Sequence, residues 1–192
     1  MAQGDSIVGI CNRALSALGE DLIVSLTDNT KRAILCNLHY DPVRREVLRA
    51  NPWRFARRQA NLAASSTAPL FDWSYSYPVP TDFIRMYNES TDQADQPAFQ
   101  VFGGAILCND SPPLGIIYVA DVTDPTQFDA LFAKLLALEL AAAICEPLTQ
   151  SNNKLTKVQG AIADARSNGW LVTSQEASSR EWDEDIWLRA RR

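Results

Sequence analysis

Ala33, Cys36, Tyr40, Val43, Val47 and Ala50 recur at spacings of three and four residues, so one apolar stripe runs the length of a helix predicted over residues 30–50. Ser25, Thr27, Asp28, Asn29 and Thr30 precede the stripe and offer N-cap side chains, while Asn51-Pro52 disfavours continuation. Pro42 removes one backbone donor inside the helix and predicts a bend. Upstream, Ile7, Ile10, Cys11, Ala14, Leu15 and Leu18 mark one face of a first helix, 6–18, capped by Asp5 or Ser6 and stopped at Gly19. The short linker between the two predicts that they pack as an antiparallel pair. Off the stripe lie Lys31, Arg32, Arg44, Arg45 and Arg49, read as a solvated face with i to i+4 pairs such as Asp41 with Arg45.

After Arg58 the helical period is lost, and ANLAASSTAPLF reads as a loop or edge segment. From Trp73 the pattern alternates with aromatic residues and predicts a small antiparallel sheet inserted over about 73–120. Pro78 and Pro80 confine its first strand to an edge, and Gly103-Gly104 marks a two-residue hairpin turn. Asp124-Pro125-Thr126-Gln127 reads as a capped start for a third helix, 125–146. Phe128, Leu131, Phe132, Leu135, Leu136, Leu138, Leu140, Ile144 and Cys145 make that helix apolar almost all round, hence central or shared with a neighbouring subunit. Within it Glu139 needs a cationic partner, from the second helix or from another subunit. Pro147 and LTQSNN interrupt the pattern before a fourth helix, 153–167, which Asn168-Gly169 ends.

The fold class expected is α+β: a bundle of about four helices with an inserted antiparallel sheet, forming one domain over residues 1–174. Residues 175–192 form an extended C-terminal arm. In that arm Trp182, Ile186, Trp187 and Leu188 stand among acids, and the segment is too polar to bury a core alone. At the other end of the basic section, Trp53 and Phe55 are interleaved with Arg54, Arg57 and Arg58. Arg stacks and makes bidentate contacts, so WRFARR suits a docking surface for protein or phosphate. The candidate partner-binding residues are therefore Arg54, Arg57, Arg58, Trp182 and Trp187.

The succession IVGICNRALSALGEDLIVSL, ILCNLHYDPVRREVLRANPWRFARR and YSYPVPTDFIRM resembles the head-to-tail adaptor proteins of tailed bacteriophages, called tail tubular protein A in short-tailed phages. The likeness covers Ser6 to Met86 in residues and the remainder in element order. It implies a structural virion protein that assembles with itself as a ring, usually a dodecamer, below the portal vertex. The ring extends the DNA channel and attaches the tail. The implied partners are further copies of the chain, the phage portal protein, a downstream tail or nozzle protein, and the packaged DNA passing through during genome ejection. The implied location is the neck of the virion, after assembly in the host cytoplasm.

Charge and composition narrow the alternatives. A net charge of −5 does not support a general DNA-coating role, which calls for a basic domain. Between Met86 and Ala133 there is no Lys or Arg, so the chain has a basic and an acidic section, a pattern that head-to-tail association can use. MAQGDS carries no secretory pattern, and LFAKLLALELAAAIC is shorter and more interrupted than a membrane span requires, so no membrane association is expected. Cys11, Cys36, Cys108 and Cys145 are far apart and read as free buried thiols, not as a disulfide or zinc framework. His39 is the one histidine, and no Gly-x-Ser-x-Gly elbow accompanies it, so no catalytic residue, cofactor site or metal site is assigned. Asp183, Glu184 and Asp185 read as solvated. Two other readings remain: a nucleic-acid-binding module using the Arg/aromatic cluster, and a cell-wall hydrolase.

Overall fold

Local chemistry sets each helix terminus. The structure, a computed structural model, describes residues 5–87 and 98–175. α1 (Ile7–Leu18) begins where the Ser6 side chain accepts from the Gly9 amide at 3.0 Å. It ends at Gly19, whose φ of 68° lets the amides of Gly19 and Glu20 turn back onto the carbonyls of Ser16 and Leu15. α2 (Lys31–Ala50) starts at Thr30, whose side chain accepts from Ala33 N, and runs without interruption through Pro42. Its stripe of Ala33, Cys36, Tyr40, Val43 and Val47 is buried as the periodicity requires.

Three boundaries differ from expectation. Asp124 caps only a 3-10 turn, Pro125–Gln127, and α3 (Ala130–Thr149) begins afresh at Asp129, whose side chain accepts from Leu131 N. α3 then runs through Pro147 and ends at Gln150 in the left-handed region, φ 48°. α4 spans Asn152–Gln175, passing Asn168-Gly169 without ending there. A proline in the last turn of α3 does not stop it, and a helix already docked along a neighbour carries one glycine at a cost of only about 1 kcal/mol.

α3 is the hub. It packs against α1, α2 and α4, whereas α1 and α2 meet only slightly. The pairing of α1 with α2 expected from their short linker is thereby corrected. Phe132, Leu135, Leu136, Leu140, Ala141 and Ile144 give α3 apolar surface on several sides, so each of the other helices buries its stripe against α3.

The inserted β region forms a pair of small antiparallel sheets, not one. β1 (Arg57–Leu62), β6 (Leu114–Ala120) and β3 (Phe83–Met86) make the first, in the order β1-β6-β3. β2 (Tyr75–Pro78), β5 (Ala105–Cys108) and β4 (Phe99–Phe102) make the second, in the order β2-β5-β4. The segment after Arg57 is thus an edge strand, and β2, with its proline, is an edge strand too. Gly103 and Gly104, at φ 57° and 79°, form the turn between β4 and β5. Alternation along β6 layers the molecule: Val119 joins the helical core, while Ile116, Tyr118 and Ala120 join a second core with Tyr77, Ile106 and Cys108 of the other sheet. The order is helices, first sheet, second sheet. All the cysteines are buried and free. A hydrogen bond to Cys36 and burial push the Cys11 thiol well up.

Candidate interaction surfaces

WRFARR is divided by its own geometry. Trp53 is buried, donates its indole N–H to Val47 O at 3.0 Å, and meets Phe132 edge-on at 5.2 Å between ring centroids. Phe55 packs at 5.0 Å against the same ring and at 5.8 Å against Phe128. The aromatic residues of the motif therefore pack at the end of the helical core, Trp53 fully and Phe55 in part, so the WRFARR side chains do not form one surface. Among the arginines, Arg54 is exposed on the 3-10 turn before β1. Arg57 and Arg58 are successive residues of β1 and so point to opposite faces of the sheet. Arg57 stands on the helical side, its guanidinium 3.8 Å from the Tyr87 ring centroid and donating to Pro52 O. Arg58 donates to Phe55 O at 2.8 Å and to Arg57 O at 3.1 Å, and reaches Gln127. Trp182 and Trp187, with the arm from Glu176 onward, lie outside the described residues.

The charged residues of the helices also depart from a simple solvated face. Arg44 is 3% exposed, donates to Val122 O at 2.7 Å, and pairs with Asp121 and with Asp41. The Asp41 partner is thus Arg44 and not Arg45, which instead approaches Asp121 at 3.4 Å. Glu139 finds Arg166 of α4 at 2.6 Å, not a cation of α2. Among the described acids of the 86–133 interval, Asp121 is taken by these arginines, and Asp124 and Asp129 serve as caps. Hydrogen bonds from the Thr126 hydroxyl, the Thr126 amide and Gln127 hold the Asp124 carboxyl below its ordinary range.

What sequence patterning missed is apolar surface held outward by ordered backbone. In the α1–α2 linker, Asn12 clamps Ile23 with reciprocal hydrogen bonds of 2.9 and 3.0 Å, and Ile23 is buried. The Asp28 carboxylate then accepts from the amides of Val24 and Ser25 at 3.0 Å each. With Ile23 turned in, Leu22 and Val24 are turned out, at 61% and 90% exposure. Asp21, just before them, pairs with Arg32 of α2 at 3.1 Å, and on the same helix Ile34 and Leu38 are also exposed, one turn apart.

A second apolar surface lies on the outer sheet. Gln100, Phe102, Ala105, Leu107 and Ser76 share its outer face by register. The segment Ser65–Trp73 runs beside that face and leaves a groove of about 640 Å³ lined by Pro69, Leu70, Phe71, Trp73, Phe102 and Leu107. Leu70, Phe71 and Phe102 are mostly exposed. The segment is pinned to β2 by Ser65 N donating to Ser76 O at 2.7 Å, and it turns at its far end where Trp73 N donates to Phe71 O at 2.7 Å.

Among the described residues, no three His, Cys, Asp or Glu side chains gather as a metal-ligand set, and no helix is long and apolar enough to cross a membrane. His39 is half-buried on α2 beside Tyr40. Against protein-family models and against curated proteins alike, the chain finds no match.

Proposed function

We propose that this chain is a structural assembly protein, a head-to-tail adaptor that forms a ring of like subunits below a phage portal, extends the DNA channel and carries the tail. The observation that carries the reading is the presence of dissimilar apolar surfaces at the two ends of α2. The linker surface of Leu22 and Val24 lies at its N-terminal end, tied there by Asp21–Arg32. The first sheet lies at the other, where Arg49 donates to Ile84 O at 2.9 Å, and the apolar groove is on the second sheet beyond it. A 20-residue helix is about 30 Å long, so the surfaces are separate. Dissimilar surfaces on one subunit suit heterologous association, which closes into a ring when the rotation between neighbours permits. The likeness of residues 6–86 to phage adaptors supplies the partner, a portal ring, and the tail below.

The test is co-sedimentation of the pure chain with a phage portal protein, at low and at high salt. The adaptor reading expects the complex to survive moderate salt, since apolar contact carries it, and expects little binding to free duplex DNA. Strong duplex binding that falls steeply with ionic strength, with no portal binding, would favour a nucleic-acid module instead.

A further inference from the structure

The groove on the outer sheet is built for large apolar side chains that carry a polar edge. Leu70 and Phe71 form one wall and Phe102 the other. Its floor is Leu107, flanked across the register by Ser76 of β2 and Gln100 of β4. Among the described residues no Lys or Arg lines it, and Asp72 is its one charged residue, so it does not suit phosphate or nucleic acid. Tryptophan fits such ground, since its ring is apolar and its N–H needs an acceptor.

The chain carries such an occupant, and α4 brings it to the right end of the molecule. α4 lies along α3, with Arg166 on Glu139. Gln175 stands nine residues beyond Arg166 and Ala130 nine before Glu139, so the end of α4 is level with the start of α3. There Phe132 packs on Trp53 and Phe55, immediately ahead of β1. Residues 176–192 therefore leave the bundle at its sheet end. Trp182 and Trp187 follow Gln175 by seven and twelve residues, which extended chain spans over about 25 Å and about 40 Å. The sheet layers between the helices and the groove are about 10 Å each. In the other stretches outside the described residues, 1–4 and 88–97, the one large apolar side chain is Met1, so neither matches the groove.

We propose that this groove is the seat of the chain's own C-terminal arm, with Trp182 and Trp187 set over Leu107 between Leu70, Phe71 and Phe102. Ser76 and Gln100 offer side-chain oxygens to the indole N–H groups, and the arm's acids, Glu181 and Asp183 to Asp185, stay in water. A tethered arm long enough to span the distance meets its groove at an effective concentration on the order of millimolar, which a second copy in dilute solution does not match. The inference does not depend on the adaptor reading, since in a ring the same arm can be exchanged into a neighbouring subunit's groove.

The test is amide hydrogen exchange of the full chain, read by mass spectrometry. Amides of residues 181–188 should exchange at least about tenfold more slowly than in a synthetic peptide of residues 176–192, and equally so at low and at high chain concentration. Leu70→Asp with Phe102→Asp should abolish that protection, whereas Leu22→Asp with Val24→Asp, exposed on the α1–α2 linker, should keep it. Trp182→Ala with Trp187→Ala should free the arm and also quicken exchange in residues 65–73. That variant changes no described residue, so it decides if the groove variant does not fold. Exchange at the peptide's rate in the wild type would overturn the proposal. So would protection that survives Leu70→Asp with Phe102→Asp, which places the arm elsewhere, or protection found only at high concentration, which gives the groove to a second copy's arm.

Discussion

Arg44 and Arg45 are neighbours in sequence with opposite fates. Arg44 is 3% exposed and joins α2 to Asp121 and the Val122 carbonyl, so Arg44→Ala should cost about 3–5 kcal/mol by leaving those groups without their partner. The side chain of Arg45 is 62% exposed, and its removal should cost under about 1 kcal/mol. Urea denaturation of the two variants checks the contrast, and similar midpoints would refute it. The difference was not legible in the sequence. Both arginines lie off the apolar stripe, and what buries one is Asp121-Val122, 77 and 78 residues downstream. Trp53 teaches the same point, since its place among arginines suggested exposure, while the Phe132 ring of α3 takes it inward. Trp53→Ala should destabilise by about 3–5 kcal/mol. Asp124 supplies a pH dependence. Its carboxyl is held low in the fold, so its contribution is present above the unfolded carboxylate value and is lost as pH falls through the folded one. Asp124→Asn should therefore flatten the acid side of the melting profile below the ordinary aspartate value of about 4.

Elements were legible where a signal was local. The stripe of α2, the Ser6 and Gly19 termini of α1, and the Gly103-Gly104 turn all rest on residues within a few positions of one another. The hairpin makes a direct prediction: with φ at 79°, Gly104→Val should cost about 1–2 kcal/mol, whereas Gly103→Asn should be nearly neutral, as thermal melts would show. Boundaries set by tertiary packing were not legible. α3 continues past Pro147 and α4 past Asn168-Gly169, and the partition of the strands into separate sheets depends on which side of β6 each core lies. Of the residues proposed to bind partners, Arg57 and Arg58 were adjacent in sequence and are divided by the two-residue period of a strand that the sequence did not reveal.

At the scale of the molecule, α3 ties the helices together, the first sheet caps them, and the second sheet carries apolar surface beyond. Leu38 and Ile34 are exposed in the isolated chain, so Ile34→Asp with Leu38→Asp should leave melting close to wild type and yet weaken self-association in analytical ultracentrifugation. A large loss of melting temperature would show instead that these side chains support the fold. The most direct test of the adaptor proposal is electron microscopy of the pure chain, alone and mixed with a phage portal protein. The adaptor account predicts closed rings of like subunits seated coaxially on the portal. Particles that stay monomeric at every concentration and leave the portal rings undecorated would contradict it.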